Sequence, residues 1–442
     1  MPGAGQVYAG DRDRGRRLIY IDLVLLGLLV LAVVFFQAEV LKAWASLTTL
    51  SLIMVGNLTL LSYRAWSAYD AYHLVSGPSP PVALASAAAV LVGLVVLVPH
   101  IAVGYLNVVQ YSLISEVFAP SEGPVTTVPP VTTLPGATTN DMVPSTTPGP
   151  AIWDGLDRLN ILLLGSDVGA GRRDIRTDTM IVVSLDPVSG DAVMVSLPRN
   201  FSGIDLPPGM GMWECNCFPQ LLNDLFFVAG ENPEAFPGSG EPGPRAMKAT
   251  IGHLLGLEIQ YYAMVSLDGF VGIVDALGGV DILVPNTIID ETYPHEDGVT
   301  IQNLVIEEGQ QHLDGHLALA YARIRRHADD FARMNRQRCV LGAVLEQSSP
   351  LELLANYGAI AEVLKTTMET DIPRDRLVDF IDMIPKVSMD RVGVLAVDRD
   401  YISGTDTGRT YYDQERIRTE TQALVADPTS GAGQLSLENA CD

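Results

Sequence analysis

RTDTMIVVSLDPVSGDAVMVSLPR, residues Arg176–Arg199, is the stretch that decides the fold of the C-terminal part of this chain. It holds two short apolar runs, Thr179–Leu185 and Ala192–Leu197, each of strand length, on either side of DPVSGD. Proline and glycine stand in that joint where turn geometry wants them, so the pair reads as an antiparallel hairpin. Upstream, NILLLG (Asn160–Gly165) is a third buried strand ending in glycine. Downstream, Arg245–Leu255 reads as a helix and Gln260–Val265 as a strand. Asp268–Leu277 is a helix stopped by Gly278-Gly279, and Val280–Val284 is a strand before Pro285. Leu351–Met368 and Arg374–Ile384 are amphipathic helices, and Val392–Val397 is a last strand. Strands alternating with helices predict an α/β domain with a central sheet covered by helices. The segment Phe201–Pro244, rich in proline and glycine, reads as irregular.

The hairpin also places chemistry. Asp178 just precedes the bulk of its first strand and Arg199 follows its second, so both emerge at one end of the sheet. Asp167 joins them if Asn160–Gly165 runs parallel to Ala192–Leu197. With Arg176, that makes two carboxylates and two guanidiniums on one rim. A loop aspartate alone is most often a turn former; four such groups together point to a binding site.

A second stretch completes it. QHLDGHLALAYARIRRHADDFARMNRQRCV (Gln311–Val340) reads as a helix capped by Asp314, a short break, and a second helix from about Asp330. Arg333, Arg336 and Gln337 fall at i, i+3 and i+4 and share one face of the second helix. Six arginines and no lysine crowd the sixteen residues Arg323–Arg338, in a chain whose formal charge is −24. A guanidinium grips phosphate through a planar fork, whereas an ammonium is a point charge. Acids beside clustered arginines make sense around Mg2+, a hard ion that takes one or two carboxylates together with phosphate oxygens. His312, His316 and His327 lie close by in sequence, and no role in the chemistry is assigned to them.

The 442 residues allow two or three domains. Hydrophobic residues make up 48% and the mean hydropathy is +0.24, with the excess confined to the first 118 residues. Leu18–Phe36, Ala45–Tyr63 and Val82–Tyr105 are each near the ~20 residues that span a bilayer. Arg12, Arg14, Arg16 and Arg17 precede the first and Arg64 follows the second, so the N-terminus is expected in the cytoplasm and everything after Tyr105 outside it. The expected organisation is a basic cytoplasmic segment (1–17), a three-span anchor (18–118), a Pro/Thr-rich extended linker (119–150), a catalytic head (151–426) and a flexible tail (427–442). The acidic balance excludes a nucleic-acid footprint.

All four cysteines, Cys215, Cys217 and Cys339 in the head and Cys441 in the tail that follows it, fall on the expected outer side, which suits an oxidising compartment. Four cysteines allow three pairings. Cys215 and Cys217 read as too close to pair with each other, and the preferred pairing is Cys339 with Cys441, tying the tail to the arginine helix. No spacing suggests zinc.

ILLLGSD, RTDTMIVVSLDPVSGDAVMVSLPR, GGVDILVP, LDGHLALAYARIR and RMNRQR, in this order, resemble the LytR–CpsA–Psr family of bacterial envelope proteins over about Asp157–Ala426. The three-span anchor suggests an actinobacterial version. The resemblance implies an extracytoplasmic α/β domain that holds a polyprenyl-pyrophosphate lipid between sheet and helices. It further implies transfer of the attached glycopolymer to a peptidoglycan hydroxyl. Asp167 and Asp178 match the Mg2+-associated acids. Arg176, Arg199, Arg323, Arg325, Arg333 and Gln337 match the residues gripping the pyrophosphate, with Arg176, Arg199 and Asp178 catalytic. The resemblance also implies that the apolar interior under Leu317, Tyr321 and Leu341 forms part of a lipid tunnel; by residue type alone, these three read as plain core. The chain departs from the family at Asn200, where an aspartate is usual, and in the long segment Gly203–Pro244. Hydrolysis of the lipid carrier and non-catalytic holding of the lipid-linked polymer are the alternative readings. Asp174 and Asp330 are the nearest acids in sequence for a general base.

Overall fold

The computed structural model describes residues 1–74, 82–120, 156–167, 175–294, 301–324, 330–347, 355–383, 386–387 and 391–428. The chain divides into two compact units, Met1–Val117 with Phe380–Asp382, and the remainder.

The first unit is helical: α1 (Ala4–Tyr8), α2 (Arg12–Phe35), α3 (Gln37–Trp44), α4 (Leu47–Leu74) and α5 (Val82–Val117). Its few polar side chains pair across helices. Arg64 Nη2 meets Asp22 Oδ1 at 3.3 Å, and the Asn57 side chain bonds both the carbonyl and the ring of His100, at 2.9 and 2.6 Å. Among the described residues one helix, Val90–Val117, is long and apolar enough to cross a membrane.

The second unit is built on a six-stranded mixed sheet. Its strands are β1 (Leu159–Ser166), β2 (Thr177–Leu185), β3 (Ala192–Leu197), β6 (Tyr261–Ser266), β11 (Met368–Thr370) and β12 (Val392–Ala396), in the order β11-β6-β1-β2-β3-β12. The hairpin is where the sequence puts it. Met180 pairs with Leu197 and Leu185 with Ala192, and the Asp186 carboxylate accepts the Val188 and Ser189 amides inside the turn. β1 runs antiparallel to β2 and therefore parallel to β3; β6 is parallel to β1, and β12 to β3. The C-terminal ends of β1, β3, β6 and β12 thus meet along one edge of the domain.

Alternation along the strands sorts the sheet into two faces. Leu162, Leu164, Met180, Val182, Val193 and Val195 join one core with α7 (Pro242–Leu255) and α13 (Gln414–Ala426). On the opposite face, Ile181, Met194 and Val394 pack with Leu163, Val183 and Leu341. Three helices cover this second face: α8 (Leu267–Ala276), α9 (Gly315–Arg323) and α10 (Asp330–Gln347), with α11 (Tyr357–Thr367) against α8. Close approach fixes α9 on α8. A Cβ on Gly315 would lie 2.3 Å from the Val271 carbonyl oxygen, and the Gly315 amide donates to Asp275 Oδ1 at 2.7 Å.

Several expectations need correction. Phe201–Pro244 is ordered, with β4 (Ser202–Asp205), β5 (Cys217–Leu221), a 3-10 turn (Leu222–Asp224) and α6 (Leu225–Glu231). Its apolar side chains, Phe201, Phe218, Leu222, Leu225 and Phe236, fill the first core, which supplies the order that local propensity does not. Cys215 and Cys217 do pair, at a Cα separation of 5.1 Å. Asn216 takes a left-handed φ of 51°, a bend asparagine tolerates, and it turns its two neighbours toward each other. Cys339 is buried and disulfide-bonded; its expected partner Cys441 lies outside the described residues, as do most of the linker and most of the tail.

Candidate functional site

Between the second sheet face and α8–α10 lies a cavity of about 320 Å³. Its walls are apolar: Leu163 and Ile181 from the sheet, Ala263 and Val265 from β6, Phe270, Ile273 and Val274 from α8, Leu319 and Ala322 from α9, and Val340, Leu341 and Val344 from α10. The polar lining comprises Asp178, Thr179, Ser266, Arg323, Arg333 and Gln337. A greasy pocket with a few convergent charged groups is the usual form of a ligand site.

Each polar group is delivered by a local rule. Asp314 caps α9, its Oδ1 accepting the Leu317 amide at 2.8 Å, and the nine-residue helix then ends on Arg323 at the cavity. One face of α10 carries Arg333 and Gln337 at i and i+4, then Val340, Leu341 and Val344, so a single helix supplies charge and grease in succession. Arg333 is only 2% exposed. Arg199 follows β3 and donates from Nη1 to Asp178 Oδ1 at 2.9 Å, as the antiparallel hairpin requires.

Asp167 is buried after β1. Its backbone amide donates to the Arg176 carbonyl and its Oδ1 accepts the Arg176 amide, both at 2.9 Å. The Arg176 side chain turns along the rim, where Nε meets Asp224 Oδ1 at 2.9 Å. Asp178, Arg199, Arg323, Arg333 and Gln337 therefore come together or touch one another, while Asp167 and Arg176 sit beside them without lining the cavity. Arg325 and Asp174 lie outside the described residues, and Asp330 is described only as the first residue of α10.

Two predicted features are placed differently. Arg336 does not share the cavity face; its guanidinium donates to the Tyr321 carbonyl at 2.7 Å and to the Ile324 carbonyl, satisfying the C-terminal end of α9. Burial lowers its pKa, against a smaller opposing effect of Tyr321. Leu317 and Tyr321 pack instead into a separate core with Val280, Ile282 and Cys339, so of the three expected tunnel residues only Leu341 faces the cavity. From α9 the cavity takes Leu319, Ala322 and Arg323, and neither Ala318 nor Tyr321 lines it. Asn200 is turned from the rim, its Oδ1 accepting from the Tyr412 hydroxyl at 3.0 Å.

Sequence reasoning missed the 3-10 turn Leu222–Asp224. Asn223 donates from Nδ2 to Asp178 Oδ1 at 3.3 Å and from its amide to the Arg199 carbonyl at 3.2 Å, and Asp224 holds Arg176. An Asn-Asp pair just before the apolar LFFVA was the available signal. Among the described residues, no three His, Cys, Asp or Glu side chains are grouped to hold a metal ion on their own.

A family model described as the LytR_cpsA_psr family matches residues 138–425. Two curated relatives carry the name polyisoprenyl-teichoic acid–peptidoglycan teichoic acid transferase. One is TagU of Oceanobacillus iheyensis, 30% identical over 224 residues, covering 50% of this chain and 61% of the relative. The other is TagV of Bacillus subtilis, 28% identical over 216 residues, covering 48% and 49%. The match thus spans only about half to three-fifths of those relatives' lengths. Among solved structures, the chain is similar to B. subtilis TagV, with a TM-score of 0.44, 23% identity and coverage of 61% of this chain and 98% of that one. It is similar also to TagT bound to LIIa-WTA, with a TM-score of 0.40, 19% identity and coverage of 62% and 92%.

Proposed function

Because the chain belongs to the LytR–CpsA–Psr family, we propose that it is a phosphotransferase. It moves a glycopolymer from a polyprenyl-pyrophosphate carrier to a peptidoglycan hydroxyl on the outer side of the cell membrane. The observation that carries this reading is the union of Arg323, Arg333, Gln337 and Asp178 with one apolar cavity. A diphosphate at the charged groups would leave its prenyl tail in the grease, a division of labour that few other ligands require. Relatives bearing the teichoic acid transferase name support the same chemistry.

In the reaction, an acceptor sugar hydroxyl attacks the phosphorus that carries the glycan, the P–O bond to the lipid phosphate breaks, and polyprenyl phosphate leaves. Arg323, Arg333 and Arg199 neutralise charge on the phosphate oxygens as that bond lengthens. Gln337 adds a neutral donor beside them. Asp167 and Asp178 offer hard oxygen donors at adjoining strand ends and would hold Mg2+, with the remaining ligands from water and phosphate, the usual protein share for this ion. When bound, Mg2+ would supply charge neutralisation at the departing phosphate.

The anchor is read as three spans, α2, α4 and α5. Leu25, Leu28 and Leu29 of α2 and Leu52, Val55 and Leu58 of α4 are exposed, as are Val95, Val98 and Ile101 of α5. A lipid-facing surface explains such outward leucines; an aqueous one does not.

Purified full-length chain, given a polyprenyl-pyrophosphate glycan and peptidoglycan with Mg2+, is expected to form the linked polymer and to lose that activity in Arg199→Ala. Release of polyprenyl phosphate without linkage would assign hydrolysis, and retention of the lipid with neither product would assign a binding scaffold.

A further inference from the structure

Asp224 stands immediately before α6, where an aspartate ordinarily caps the first turn. It does not cap: its side chain accepts no amide of α6, and its Oδ1 is spent on Arg176 Nε at 2.9 Å. Through Asn223 the same turn also reaches Asp178 and Arg199. One short element therefore touches two arginines assigned to the diphosphate, Arg176 by its side chain and Arg199 by its backbone, and one acid assigned to Mg2+, Asp178. Arg176 is held on the rim, half exposed, while Arg323 and Arg333 face the cavity.

We propose that Asp224 is a positioning residue that competes with the diphosphate for Arg176, an inference that rests on the diphosphate reading above. The carboxylate keeps the guanidinium extended at the mouth, near where phosphate oxygens would sit, and gives it up when they arrive. A carboxylate and a phosphate are rival acceptors for the same planar donor fork. Binding therefore costs the breaking of this pair, and removing the acid removes that cost. A pair with one half-exposed partner is modest in strength, so the gain in affinity is roughly two- to fivefold.

The test is calorimetric titration of the full-length chain in detergent micelles with geranylgeranyl diphosphate. Asp224→Asn is expected to bind about two- to fivefold more tightly than wild type, and Asp224→Glu, which keeps the charge, to bind as wild type does. In an Arg176→Gln background, Asp224→Asn is expected to change nothing. Equal or weaker binding by Asp224→Asn, or a gain that survives Arg176→Gln, overturns the competition. Failure of the wild-type chain to bind would instead remove the diphosphate reading itself, so the two failures are distinguishable.

Discussion

Ala263→Phe separates the cavity's role in function from its role in stability. Ala263 lies on β6 opposite Leu163 of β1 and Thr370 of β11, and it faces the cavity. A benzyl group there enters an apolar space of about 320 Å³ rather than a packed core. Burying the ring stabilises by about 1.5–3 kcal/mol. Imperfect fit costs about 1–3 kcal/mol, so the net change in folding free energy is close to zero. The cost to a prenyl tail is not small. At about 0.8 kcal/mol per buried CH2, excluding the five carbons of one isoprene unit loses roughly 4 kcal/mol, close to a thousandfold in affinity. Urea unfolding and calorimetric titration with geranylgeranyl diphosphate measure the two quantities on one preparation. A folded Ala263→Phe chain that binds the lipid as wild type does would refute the placement of the tail. A loss of stability well beyond 3 kcal/mol would mean the space is not there.

Arg336→Met removes two donors from the carbonyls of Tyr321 and Ile324, both buried residues; stability is expected to fall by roughly 2–4 kcal/mol in urea unfolding. Arg333→Met removes charge from the cavity instead, and diphosphate binding measured by calorimetry is expected to weaken by about ten- to a hundredfold. Asp314→Ala deletes the cap of α9 and should cost about 1 kcal/mol, read as a lowered urea midpoint. Burial pushes the Asp186 carboxyl up, but bonds from the Ser189 and Val188 amides outweigh it and hold the pKa below the ordinary aspartate value. A depressed folded pKa gives stability that is present above the unfolded value and lost as pH falls through the folded one. Asp186→Asn is therefore expected to flatten the dependence of stability on pH below about 4, as followed by acid titration of circular dichroism.

Five of the six strands were legible because they are short, continuous apolar runs, whereas β11 (Met368–Thr370) begins where a helix was expected to end, and the strand order beyond the hairpin is set by packing that the sequence does not display. The meeting of Asp178 and Arg199 at one end of the sheet was legible because antiparallel strands bring the outer ends of a hairpin together; that the two form an ion pair is seen only in the structure. Side-chain direction was harder. Spacing grouped Arg336 with Arg333 and Gln337, but the carbonyls of the buried residues Tyr321 and Ile324 at the end of α9 recruited Arg336, a demand visible only once two helices meet. Leu317 and Tyr321, drawn toward the tunnel by the resemblance and toward plain core by residue type, are core: they pack with side chains of β7 (Val280–Val284) and β10 (Gly309–Leu313). Asp224 was hidden by its position, which imitates an ordinary cap. Cys215 and Cys217 were excluded on chain distance alone, which neglects the left-handed backbone that asparagine permits at Asn216.

Photocrosslinking with a polyprenyl diphosphate bearing a diazirine on its tail tests most directly whether one site holds both ends of the lipid. The account predicts adducts on Val265, Ile273 and Leu341 that are lost when inorganic pyrophosphate competes for the mouth. Adducts confined to α2, α4 and α5, or cavity adducts indifferent to pyrophosphate, would contradict it.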